Sequence, residues 1–339
     1  MRGANRGRTP SRPQLTSRRP AEWPVAGGLI AGVLADALLG DPARAHPVAL
    51  FGRAAGRIER LSYADGRVAG TVFTAASLTL AAAPALAAAR LTQRRPVAAL
   101  ALTTATTWAV TGARSLAGEA GKIGSALAAG DLARARDLLP RLCGRDRESL
   151  DEAGLARAVV ESVAENTSDA VVAPLVWGAL AGPAGLSGYR AVNTLDAMVG
   201  HRCPRYERFG WASARLDDIA NIAPARVTAL LAAACSPVVG GLPAVTWQTA
   251  VRYGPRHPSP NAGWCEAAFA GALGVGLGGP LSYDGRAEHR PELGGGRPPK
   301  PADIARAVRL SRAIAAATAG LAAMLAAGLA DLPAGHRCA

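Results

Sequence analysis

A chain of 339 residues has room for one large domain or two small ones; half of it is apolar, yet only 4% is aromatic. Apolar mass drawn from Ala, Leu, Val and Gly suits close helix-on-helix packing and disfavours a sheet filled with bulky side chains, so an all-α fold is expected. The net charge of +13 fits nucleic acid, anionic lipid or an anionic substrate, but no aromatic residue interleaves with the N-terminal arginines to stack bases, so no nucleic-acid partner is expected.

Residues 1–22 carry Arg2, Arg6, Arg8, Arg12, Arg18 and Arg19 among Pro, Ser and Gly, a composition that cannot bury a core and predicts a disordered basic tail. The remainder, 23–335, reads as one membrane-embedded domain. Charge-free apolar runs at 68–89, 96–113, 170–189, 227–251 and 313–330 are long enough to cross the hydrocarbon layer as helices. Residues 23–40 are a weaker span because Asp36 interrupts them, and 267–283 are weaker still, being short and Gly-rich. A soluble helix seldom stays uncharged for 18 residues, so the expectation is a polytopic integral membrane helical protein seated in the lipid bilayer of the cell membrane. Ser17-Arg18-Arg19 before an apolar stretch resembles a twin-arginine signal, but Asp36 and the later spans argue against cleavage.

Polar segments at 41–67, 114–169, 190–226 and 252–312 lie between the runs and hold nearly all the carboxylates. Within 114–169, Leu127, Leu132, Leu138 and Leu139 recur at helical spacing, with Gly130-Asp131 as a stop followed by a cap, and a second helix is expected from about Ser149. Residues 284–301 are dense in Gly and Pro and predict an irregular loop. Pro174, Pro183 and four glycines predict a broken or re-entrant helix at 170–189. Arg90, Arg94 and Arg95 favour the inside, yet a single span separates them from the basic 114–169 segment, so orientation stays open.

Four constellations carry chemistry. Glu161, Glu165 and Asp169 recur every four residues and would line one helix face; hard oxygen ligands of this kind suit magnesium, and their position against an apolar run argues for function over a solvated face. Arg190, Asn193 and Asp196, three apart, share a face, where arginine holds a carboxylate or phosphate bidentately; a structural Arg190–Asp196 pair is the alternative. Arg215 and Asp218 could pair in the next segment, beside Asp217. His257-Pro258-Ser259-Pro260-Asn261 forms a rigid turn before a helix starting near Ala262, offering His257, Ser259 and Asn261 to an anion, or acting as an ordinary cap.

The Gly274–Gly279 run follows no strand, so a dinucleotide fingerprint is weak, and no phosphate-binding Gly-x-x-x-x-Gly-Lys loop, Gly-x-Ser-x-Gly elbow or HExxH occurs. The five cysteines form no zinc spacing, and His201 with Cys203 lacks a second ligand pair. Residue chemistry alone therefore leaves enzyme and transporter both open.

Taken together, Gly40-Asp41-Pro42 with His46-Pro47-Val48, the segments 161–180, 189–200 and 209–226, and HPSPNAGW at 257–264 resemble the CobD/CbiB family of adenosylcobinamide-phosphate synthases, in the family's order and over most of 24–330. The resemblance implies a membrane ligase that uses ATP and Mg2+ to join (R)-1-amino-2-propanol, or its O-phosphate, to the f propionate of adenosylcobyric acid. Laid on the residues, Glu161, Glu165 and Asp169 would bind magnesium. Arg190, Asn193, Arg215, Ser259 and Asn261 would hold phosphate or propionate, and Asp218 or His257 would take the amine's proton. A corrinoid-binding or transport protein without catalysis is the competing class.

Overall fold

The computed structural model describes residues 23–41, 46–148, 150–201, 203–283 and 286–331; the basic tail at 1–22 lies outside them. The first four helices are α1 (Trp23–Leu39), α2 (Pro47–Ser62), α3 (Arg67–Thr92) and α4 (Pro96–Val110). Gly27 of α1 sits against Leu100, Gly28 against Thr103 and Gly32 against Thr107 of α4, so the two helices run parallel. A Cβ at Gly28 would fall 2.5 Å from Thr103 Cβ; only glycine lets the backbones come this close. Trp108 Nε1–H closes the far end of the pair by donating to Gly40 O at 2.9 Å. The 93–95 turn thus lies beside the Trp23 end, and the segment after Val110 emerges at the opposite one.

Helix α3 buries only Gly70, Phe73, Thr74 and Ser77. Val68, Val72, Leu80, Leu86 and Leu91 stay exposed, the pattern of a helix whose outer side meets lipid rather than water. Helices α5 (Ala113–Ala128) and α6 (Leu132–Leu138) follow, the second capped by Asp131, which accepts from Arg134 N–H. The predicted stop at Gly130-Asp131 is thereby confirmed. Helix α7 (Glu152–Thr167) starts three residues later than expected, with Asp151 as its cap.

Helix α7 is the centre of the main core. Leu155, Val159, Val160 and Val163 belong to one cluster with Ile123 and Leu127 of α5 and with residues of four later helices. It runs through a π-helical segment, Ser168–Val172, into α8 (Ala173–Val199), making one 48-residue apolar stretch. The expected break is present: Ala181 and Gly182 leave helical geometry, with Gly182 at φ +58° in the left-handed region before Pro183. Helices α9 (Trp211–Ala220), α10 (Ile222–Cys235), α11 (Pro243–Tyr253) and α12 (Ala262–Leu273) lead to an antiparallel hairpin, β1 (Leu277–Tyr283) and β2 (Arg286–Leu293), and α13 (Pro301–Asp331) is the last element among the described residues.

Among the described residues, four segments are long and apolar enough to cross a membrane: Arg67–Thr92, Glu152–Val199, Ile222–Val239 and Pro301–Leu329, with Trp23–Leu39 a shorter apolar helix. The protein is an all-α polytopic membrane protein. Several expected spans need correction. The run at 96–113 contributes only the 15-residue α4. The run at 227–251 is not continuous, because Pro237 and Gly240-Gly241 end α10 in a 3-10 turn before α11 begins. The weak span at 267–283 divides into the end of α12 and strand β1, and part of the expected irregular loop at 284–301 is strand β2.

Candidate active site

Two polar cavities meet inside the bundle. The smaller, about 400 Å3, is lined by the loop at 142–145, by α7 and by the second half of α8. The larger, about 660 Å3, lies between α8, α9 and the His257 turn. Glu165, Asp169, Asp196 and Arg290 line both. Three carboxylates and one guanidinium therefore form the wall between two chambers.

The acidic row does not act as one face. Glu161, 2% exposed, forms an ion pair with Arg145 and accepts the Gly278 N–H through Oε1 at 2.6 Å. Its carboxylate is engaged in holding the hairpin and the 142–145 loop onto α7, where the sequence reading expected it to join Glu165 and Asp169 as a magnesium ligand. Asp169 lies in the π-helical segment, where Ala173 N–H reaches back five residues to Ser168 O. Spacing of four across such a turn no longer keeps side chains in line. Asp169 instead accepts from Asn193 Nδ2 at 3.2 Å, and Arg190 Nη1 approaches Asn193 Oδ1 at 3.5 Å. Arg190 thus stands behind Asn193 and lines neither chamber.

In the larger chamber Arg215 pairs with Asp218 at 3.4 Å, as its spacing predicts. The neighbouring Asp217 accepts from Asn221 Nδ2 at 3.0 Å through one oxygen, while its other oxygen has no hydrogen-bond partner. Burial, and next the negative charge of Asp196, push the Asp217 carboxyl up to about 7. That is the range a general base needs near neutral pH.

His257 is placed differently from the expected base. Its Nδ1 accepts the Ser259 N–H at 3.0 Å, which leaves the proton on Nε2, and Nε2 has no partner. Burial, then the positive charges of Arg290 and Arg145, drive its pKa down to about 4. A neutral ring with its proton on Nε2 offers a hydrogen-bond donor to the chamber and is a weak base at neutral pH. Ser259 Oγ accepts from Asn261 N–H and Ala262 N–H, capping α12. Asn261 is a clip: Nδ2 donates to Asp218 O at 2.7 Å and Oδ1 accepts from Arg226 at 2.9 Å. The turn shapes the chamber, and both side-chain ends of Asn261, expected from the sequence to hold substrate, are engaged within the protein.

A family model described as CobD/Cbib protein matches residues 29–311. The chain belongs to the CobD/CbiB family. Its relatives include the Mycobacterium tuberculosis protein named Cobalamin biosynthesis protein CobD, 54% identical over 303 residues that cover 88% of this chain and 95% of that one. Proteins of the same name from Chromobacterium violaceum and Geobacter metallireducens are 45% and 41% identical, covering 82% and 81% of this chain and 89% and 87% of theirs. No solved structure matches. Membership places the protein in cobalamin biosynthesis, and both chambers lie inside the span shared with the CobD/CbiB family.

Arg145, Arg290 and Asp217 line the chambers without having been singled out as candidate site residues from the sequence, and Glu266 lies buried close by without lining either chamber. Glu266 was visible as the one carboxylate in an otherwise uncharged α12; it is 1% exposed with neither oxygen hydrogen-bonded, and burial first, then the charges of Glu161 and Glu165, raise its pKa well above the carboxylate range. Arg145 and Arg290 reach the site from loop and hairpin, through contacts no local spacing reveals. Among the described residues, no three His, Cys, Asp or Glu side chains sit close enough to hold a metal by themselves. Magnesium commonly takes one or two carboxylates and fills its shell with water and substrate phosphate; Glu165 and Asp169, hard donors on the shared wall, fit that requirement.

Proposed function

We propose that the protein is an amide-forming ligase that attaches (R)-1-amino-2-propanol, or its O-phosphate, to the f propionate of adenosylcobyric acid at the expense of ATP, in the cell membrane. The observation that carries the reading is the shared wall of Glu165, Asp169, Asp196 and Arg290 between two chambers. An amide ligase has to bring a carboxylate, a nucleotide phosphate and an amine to one point, with cations for the phosphates and a base for the amine. Chambers of about 400 and 660 Å3 suit groups of drug size, so the corrin ring would rest at the mouth and present one arm.

In this reading the propionate oxygen attacks the γ-phosphorus and ADP leaves; the amine nitrogen then attacks the acyl carbon and phosphate leaves. Arg290 and Arg215 would hold phosphate oxygens. Glu165 and Asp169 would hold Mg2+, which when bound screens the phosphate charge. Asp217 would take the amine's proton, a role for which it is better suited than Asp218, whose carboxylate already answers Arg215. His257 Nε2–H would donate to the oxyanion as it develops, and Arg190 would orient Asn193. The break at Gly182 favours a second reading, a corrinoid-binding or transport protein, because unwound helices also mark transport paths.

Hydroxylamine separates the two. With adenosylcobyric acid, ATP and Mg2+ but no amine, a ligase in detergent micelles accumulates an activated acid that hydroxylamine converts to a hydroxamate. Corrinoid binding without hydroxamate, at saturating ATP, would favour the transport reading.

A further inference from the structure

Helix α2 carries Arg53, Arg57 and Arg60 at helical spacing, so the three share one face. All three are exposed, and none makes an ion pair with any described residue. They rim a groove of about 530 Å3 whose floor is Ala49, Gly52, Gly56 and Met198. The opposite face is committed to the protein: Ala55 is fully buried, and Phe51 and Ile58 pack onto Phe73, Leu195 and Phe209. The arginines are therefore held outward by a fixed helix.

Position decides what meets them. A four-residue connection, Tyr63–Gly66, joins α2 to α3, whose first exposed apolar residues are Val68 and Val72. The helix thus lies where a membrane-crossing helix enters the bilayer, and Leu50 and Leu61 are exposed along it. Guanidinium groups above an apolar floor at that depth match a ligand with a phosphate at one end and hydrocarbon at the other. We propose that this groove binds the headgroup of an anionic phospholipid, with the first acyl carbons lying along Gly52, Gly56 and Met198. A free phosphate would satisfy the arginines but leave the apolar floor unused. The proposal is independent of the ligase reading, since no groove residue lines either chamber.

The test is native mass spectrometry of the full chain, delipidated in detergent and titrated with phosphatidylglycerol or phosphatidylcholine of the same chain length, with inorganic phosphate as a third arm. Wild type is expected to retain phosphatidylglycerol at a concentration at least tenfold below that needed for phosphatidylcholine. The variant R53Q/R57Q/R60Q should lose the preference. Gly52→Leu keeps every charge but fills the groove, and its new Cβ meets only Met198 Sδ at 3.9 Å; it should lose the preference too. If the triple variant does not fold, the single variants should each weaken binding about fivefold, the scale of one basic residue at an anionic surface. Equal retention of the two lipids by wild type would overturn the proposal, and so would a preference that survives in Gly52→Leu. Displacement of the lipid by sub-millimolar inorganic phosphate would reassign the groove to free phosphate and equally overturn it.

Discussion

Glu161 and Glu165 stand one turn apart on α7 in different surroundings, so under the proposed function neutralising each should have opposite consequences. Glu161 is almost wholly buried against Arg145, itself 5% exposed at the side chain, and takes the Gly278 N–H. Removing one member of a buried ion pair costs about 3–5 kcal/mol, because the other charge stays buried. Glu161→Gln keeps a carbonyl for Gly278, so the loss should lie near the lower end, about 3 kcal/mol. Glu161→Ala also strands the Gly278 amide and should cost about 1–3 kcal/mol more. Replacing both partners, as in Glu161→Met with Arg145→Met, should recover much of the loss, since an apolar pair of similar volume is often neutral. The assay is thermal unfolding in detergent, with the double-mutant cycle isolating the coupling. Stability unchanged in Glu161→Gln, combined with a raised magnesium requirement, would refute this reasoning and restore Glu161 to the metal.

Glu165→Gln should do the reverse: turnover falls by most of its value, relieved in part by higher magnesium, while thermal stability holds or rises as like charges are relieved. Normal turnover at low magnesium would remove Glu165 from the site. Asp217, near 7 in the folded protein, should give a rate that rises with pH through about 7, and Asp217→Asn should abolish that limb. Because an unfolded Asp titrates near 4, the unfolded chain holds fewer protons between those values, and Asp217's contribution to stability should decline as pH rises from about 4 to about 7. His257 should give no limb between pH 5 and 9, since its pKa is near 4. His257→Gln, which can still accept from Ser259 and donate to the chamber, should retain far more turnover than His257→Phe; equal loss in both would show that the ring does take a proton.

Much of the fold was readable from local pattern. Gly130-Asp131 and the turn before Ala262 announced helix boundaries because caps are written in a few adjacent residues. Pro183 beside Gly182 announced the break for the same reason. Counting uncharged residues overstated the spans, since it passed over Pro237 and Gly240-Gly241, which end α10 without any charge. The hairpin was hidden because 277–293 shows no clean alternation of apolar and polar residues, the signal that marks a half-buried strand. Among the residues that line the larger chamber, Glu165, Asp169, Asp218 and His257 were legible in the sequence, but their contacts were not. A spacing of four cannot reveal a π turn at 168–172, nor that Glu161 faces Arg145 and Gly278 across the structure. The tautomer of His257 depends on one backbone N–H, which only coordinates supply.

Coupling of ATP cleavage to amide formation is what distinguishes the proposed ligase from a protein that only binds corrinoid. Purified protein in micelles, given adenosylcobyric acid, aminopropanol phosphate, ATP and Mg2+, should yield the corrinoid amide by mass spectrometry in step with ADP, and neither product when either organic substrate is left out. Corrinoid and amine bound at saturation, with no amide and no ADP formed, would contradict it.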